Sequence, residues 1–269
     1  MKVFLIHLLF DLKSGLRDKA LLLMNYLFPL GFYIVIGAIM PKLNPQYSEI
    51  LIPSMMIFSI LVSTVLGMPN SLVTSRNSGI FRSYKINGVS KLSMLAIPTV
   101  STIVHTIIVT SIILISAPIL FKIELPENIV GLILVFIVST ITFSGLALLI
   151  GVIADNTSIT VIFAQALFLP SMLIGGLMFP SELLPESVAV FSKLLPTTYV
   201  MDAYQVLATN RSTSFNPMIS LALLVSCAII SYYLSWHLFM LDNNNTSKSK
   251  GKFWALGSLI PFILAAIFL

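Results

Sequence analysis

Six apolar runs, each close to the length that crosses a lipid bilayer, dominate this sequence: residues 21–40, 50–72, 94–120, 129–153, 159–179 and 218–240. A bilayer core takes about 20 apolar residues of helix, so each run is a candidate span. Short polar breaks separate most of them, "PKLNPQYSE" after the first, "KIELPEN" after the third and "ADNTS" after the fourth. Only 9% of the 269 residues are charged while 57% are hydrophobic. A water-soluble core could not hide that much apolar surface, and backbone in lipid must bond to itself. The expected fold is therefore an all-α integral membrane bundle of six spans. Residues 1–241 form its one transmembrane domain, and 242–269 add a basic linker and an apolar C-terminal segment.

Charge orients the bundle. With the N-terminus in the cytoplasm, the inner side collects Lys2, Lys13, Arg17, Lys19, Arg76, Arg82, Lys85, Lys91, Lys248, Lys250 and Lys252. The outer side keeps only Lys42, Lys122, Lys193 and Arg211. Basic residues favour the cytoplasmic face, so this is the expected orientation, in a multi-pass protein of the cell membrane. The net charge of +5 is then matched by anionic headgroups rather than by nucleic acid.

At the N-terminus, His7, Asp11, Ser14 and Asp18 recur at helical spacing on one face, away from Leu5, Leu8, Leu9 and Leu12. This predicts an interfacial helix lying on the membrane surface over residues 1–18. Between the second and third spans, "SRNSGIFRSYKINGVSK" carries four basic residues and no acid. Its residues 79–86 fit two helical turns, stopped by Asn87–Gly88, with Ile80, Phe81 and Tyr84 on one side and Arg82 and Lys85 on the next. So short a helix needs a surface to pack on. A cytoplasmic partner is the expected one, with Phe81 and Tyr84 filling its groove.

Several chemistries are absent from the sequence. No phosphate-binding G-x-x-x-x-G-K-[ST] loop occurs, so ATP hydrolysis by that route is excluded. The three histidines and the single cysteine, Cys227, show no metal-ligand spacing, and no catalytic constellation stands out. No metal or cofactor is expected on this chain. His105, in a stripe with Thr102, Thr106 and Thr110, and Gln165 are the polar residues inside spans that a pathway would use. An interhelix hydrogen bond explains either of them equally well.

The stretch from the fifth span to the sixth, "GGLMFPSELLPESVAVFSKLLPTTYVMDAYQVL", is too apolar for a free loop, and its prolines divide it. Two short re-entrant helices from the outer face are the economical solution. This stretch resembles the signature region of type-2 ABC exporter permeases. Gly175, Gly176, Phe179, Pro180, Leu184, Pro185, Pro196, Thr197, Tyr199 and Gln205 carry the match. The basic segment resembles the same family's cytoplasmic coupling helix through Arg76, Gly79, Arg82 and Lys85. Ser75 and Asn77 stand where that family usually has acids.

The resemblance implies a permease subunit for an exported amphiphile such as a drug, an antimicrobial peptide or a lipid-like molecule. A lipid-linked polysaccharide or teichoic acid is the alternative cargo, and a non-transporting immunity or scaffold role is another class. It further implies two cytoplasmic ATPase subunits, which would bind the ATP and Mg, and a second permease in a homodimer or heterodimer. The run 253–269 departs from that family's six spans, and a seventh span is expected there.

Overall fold

The structure, a computed structural model, describes residues 2–179, 184–211, 213, 216–241 and 254–268. Helix α1 (Lys2–Arg17) leads into α2 (Lys19–Leu43), α3 (Tyr47–Asn77), the short α4 (Ile80–Ile86), α5 (Lys91–Phe121), α6 (Ile129–Ile153) and α7 (Thr157–Ile174). Two short helices, α8 (Glu186–Ser192) and α9 (Pro196–Thr209), precede α10 (Pro217–Leu238), and α11 (Ile260–Phe268) follows. Six of these, α2, α3, α5, α6, α7 and α10, are long and apolar enough to cross a membrane. The chain is an all-α integral membrane bundle, with no strand among the described residues.

The helices start where a polar side chain can cap them. Asp18 accepts from the amides of Ala20 and Leu21, Ser90 from Ser93, Asn128 from Gly131 and Asn156 from Ile159. Asn216 accepts from Met218 at 2.9 Å with Pro217 in the first helical position, as the sequence predicts. The spans run a few residues past most of the apolar runs because these caps sit in the polar flanks. The fifth falls furthest short of its run. It ends at Ile174, ahead of Gly175 and Gly176, instead of reaching 179.

Helix α3 is the central post: 94% of its apolar window is buried inside the protein, against 22% for α7 and 28% for α2. Several hydroxyls in the spans fold back on their own helix, as Thr64 does on the Ile60 carbonyl at 2.6 Å and Thr106 on Thr102 at 2.8 Å. That satisfies them where no water is present. Helices α6 and α10 meet along small residues, Gly145 against Ser231, with Thr142 donating to the Leu224 carbonyl at 3.1 Å. Both α2 and α3 contain one π-helical turn, Leu23–Leu27 and Val62–Gly67, and the two turns touch.

The segment between the fifth and sixth spans forms two short helices, as expected. Helix α9 is buried at Thr197, Tyr199, Val200 and Ala203, whereas α8 buries only Ser192. The Tyr199 hydroxyl ties them by donating to the Lys193 carbonyl at 2.8 Å. At its far end the Ala208 carbonyl accepts from the Asn128 amide at 3.0 Å, Asn210 donates to Glu127 at 3.1 Å, and Arg211 pairs with Glu49.

The C-terminal run, where a seventh span is expected, is described from residue 254 to 268. It forms a helical stretch, Trp254–Ile267, shorter than any of the six. It packs on α10, and Phe262 (fully buried) stacks on the Tyr199 ring with centroids 5.4 Å apart. One apolar face has found a groove in its own protein, so the segment need not cross the lipid. The linker, with Lys248, Lys250 and Lys252, lies outside the described residues.

Candidate functional site

Helix α4 begins and ends at glycines with positive φ, Gly79 at 73° and Gly88 at 78°, as the turn signals predict. Its aromatic side does not face outward. Phe81 is only 4% exposed, edge-on to Phe239 at 5.2 Å and packed with Met68, Leu72, Val89, Met94 and Leu148. Tyr84 is half-buried with its ring 5.0 Å from that of His7. The expectation that these two rings fill a partner's groove is therefore corrected. An amphipathic helix buries its apolar face on the nearest apolar surface, and here that surface belongs to its own chain. What α4 leaves exposed is Arg82, Ser83, Lys85 and Ile86, with Ile80 at its edge. Sequence reasoning passed over Ile86, which is 78% exposed beside the stop signal.

Arg76 is not a surface charge either. It is 7% exposed, and its guanidinium donates to the Val152 carbonyl at 3.0 Å and to the Ala154 carbonyl. These are unpaired carbonyls at the C-terminal end of α6, and a cation there also suits the helix dipole. One side chain thus fastens the end of α3, next to α4, to the turn between α6 and α7.

In the outer segment, Gly175 is held by close approach. A Cβ there would lie 2.0 Å from the Thr197 Oγ1 and 2.4 Å from the Ser171 carbonyl. Gly176 has φ +86°, so the chain reverses here at a position that suits glycine. Pro185 accepts from the Val188 and Ala189 amides at 2.9 Å, and Pro196 is the buried first residue of α9. Gln205 supplies the carbonyl that receives the Arg211 amide at 3.0 Å. Phe179 is half exposed, and Pro180 lies outside the described residues.

His105 and Gln165 are not alike. Gln165 is half-buried on α7. His105 is 3% exposed, its Nδ1 2.6 Å from the Tyr26 hydroxyl, and its Nε2 has no hydrogen-bond partner. Helix α1 crosses α5 at Gly15, where a Cβ would come 2.9 Å from that Nε2. His7 and Asp11 of α1, both half-buried, therefore turn inward over a cavity of about 210 Å³, which the exposed Ser14 and Asp18 and the buried His105 also line. Leu5, Ile6, Leu9 and Phe10 are exposed instead. The helix forms as expected, but the face expected to meet water meets α5. Burial pushes the Asp11 pKa up, while the nearby Ser101 hydroxyl and then His105 pull it down. Burial and then the Asp11 charge push the Tyr84 hydroxyl up as well.

Six spanning helices, with the buried helix α9 packed between the fifth and sixth, define a multi-pass membrane protein with a helical membrane domain. The sequence model described as ABC-2 type transporter matches residues 3–209, well over half of the chain. The chain belongs to the ABC-2 type transporter family. Membership makes it a membrane permease component rather than an ATPase, and implies an ABC ATPase subunit as partner. No curated protein and no solved structure shows significant similarity to it.

Proposed function

We propose that this chain is the permease subunit of an ATP-driven exporter of amphiphilic molecules. It works as a pair with a second permease, each bound to one cytoplasmic ATPase, and its N-terminus lies in the cytoplasm of the cell-membrane-bounded compartment. The observation that carries the reading is the Arg76 tie. A force applied to α4 reaches the ends of α3, α6 and α7 through two guanidinium bonds, so ATPase closure has a stiff route into the bundle. The docking surface in this reading is Arg82, Lys85 and Ile86, the exposed part of α4.

Co-purification with the ATPase tests it. Arg82→Glu combined with Lys85→Glu should slow association and weaken the complex about tenfold or more at low salt, with a smaller loss at high salt. Ile86→Ala should weaken it at all salt concentrations, as an apolar anchor does. Unchanged complexes in both variants would remove α4 from the interface.

Orientation is tested in a Cys227→Ser background. Ser83 and Ser187 are both exposed, so each can be replaced by a labelled cysteine. An impermeant thiol reagent added to intact cells should modify Ser187→Cys and spare Ser83→Cys. Modification of both from outside contradicts the topology.

A further inference from the structure

The cavity beneath α1 is not used by the docking surface, nor by the outer hairpin. It is walled by α1, α4 and α5 and by the two π-helical turns of α2 and α3, which contribute Asn25, Ser63 and Gly67. Single π turns inside α-helices are frequent at functional sites, and here two of them meet at one cavity.

Its charge is one-sided. Asp11 and Asp18 line it, together with His7 and His105, and no lysine or arginine does. Asp18 is already committed to the Ala20 and Leu21 amides. The groups acting on Asp11 are the Ser101 hydroxyl, His105 and Tyr84, none of them a lysine or arginine. A partly buried carboxylate without a cation is costly, and a bound positive charge would offset that cost. A second observation points the same way: His105, 97% buried in the same cavity, has an Nε2 with no partner. Nδ1 is engaged with the Tyr26 hydroxyl, so Nε2 is the ring atom left to meet a polar headgroup in the cavity. No group of three or more metal-binding side chains occurs among the described residues, so a metal ion does not fit the need.

The cavity also has an apolar exit. Phe10 lines it and is 68% exposed, so the lining continues into the apolar outer face of α1. Phe81 and Tyr84 present rings on the inner side, where a cation gains from a π face.

We propose that this cavity holds the ammonium headgroup of a cationic amphiphile, with Asp11 as its counter-charge and the alkyl chain leaving past Phe10. Binding stands on the cavity alone. Its role as the loading site for export rests on the exporter reading above.

The test uses the full chain in phosphatidylglycerol nanodiscs and dodecylamine bearing a dansyl group at its far end. Its emission should rise saturably on binding, and Asp11→Asn should weaken the affinity about tenfold or more. Ser71→Phe, which fills the cavity from α3 without touching a charge, should weaken it similarly. The matching dansyl carboxylate and alcohol should bind at least tenfold more weakly than the amine. Equal affinity of the three probes, or wild-type affinity in both variants, would overturn the site. Displacement of the probe by phosphatidylethanolamine added to the discs would assign the cavity to the bilayer's own aminolipid and overturn the amphiphile. With the ATPase bound, the amine should stimulate hydrolysis in the wild type and not in Asp11→Asn. Saturable, Asp11-dependent binding without stimulation would keep the site and remove its loading role.

Discussion

Arg76→Met should lower the unfolding temperature of the purified protein by about 6–12 °C, a loss near 3 kcal/mol on the usual scaling for a chain of this size. The methionine fills a similar volume but leaves the Val152 and Ala154 carbonyls without a donor in a buried place. Stranding a buried polar group costs about 1–3 kcal/mol, and two are stranded here. Lysine at 76 supplies a single compact ammonium, which cannot span both acceptors as the planar fork does, so it should restore only part of the loss. Arg82→Met, on the exposed side of α4, is the control and should change the melt by little. A melt followed by circular dichroism separates these outcomes. Equal behaviour of the two variants would show that Arg76 is not seated on α6.

The second large effect is expected at Gly131, near the start of α6. A Cβ there would meet the Leu207 carbonyl oxygen at 1.9 Å and its carbon at 2.5 Å, and neither backbone atom can rotate away. Gly131→Ala must push α9 off α6, which also strains the Asn128–Ala208 hydrogen bond beside it. Overpacking of this kind costs about 3 kcal/mol. The variant should give little monodisperse protein on size-exclusion chromatography, and what survives should have lost transport. Gly31 sets the comparison, because nothing lies within 4 Å of its Cβ position. Gly31→Ala should be neutral, or stabilising by up to about 1 kcal/mol through helix propensity. If Gly131→Ala melts like the wild type, α9 does not rest on α6 as described.

These two positions also mark what the sequence can and cannot disclose. The spans were legible because lipid demands long apolar runs, and 129–153 matches α6 end for end. The outer pair of helices was legible for the same reason, since apolar backbone punctuated by proline must find protein. Partners were not. A helical wheel sorts α1 and α4 into faces, but says nothing about which face another element will cover. Phe81 and the polar side of α1 both turned inward because α5 and the end of α3 offered matching surfaces, chosen by the three-dimensional path of the chain. Arg76 looked like one more cytoplasmic charge, because its acceptors lie 76 and 78 residues away. The π turns have no signature in residue type, and so the cavity they help to frame is invisible in the sequence, although His105 and the α1 stripe are each conspicuous there.

The Phe262 stack on Tyr199 has a consequence for biosynthesis. Chains emerge from the N-terminal end at about 5–20 residues/s, so Phe262 leaves the ribosome several seconds after Tyr199. During that interval α9 is already inserted, yet one flank of Tyr199, in its first turn, still faces lipid or the insertion machinery. The outer hairpin therefore reaches its mature packing late, after all six spans have been delivered. Assembly with a second subunit during translation would meet an unfinished outer end, whereas assembly afterwards would meet a closed one.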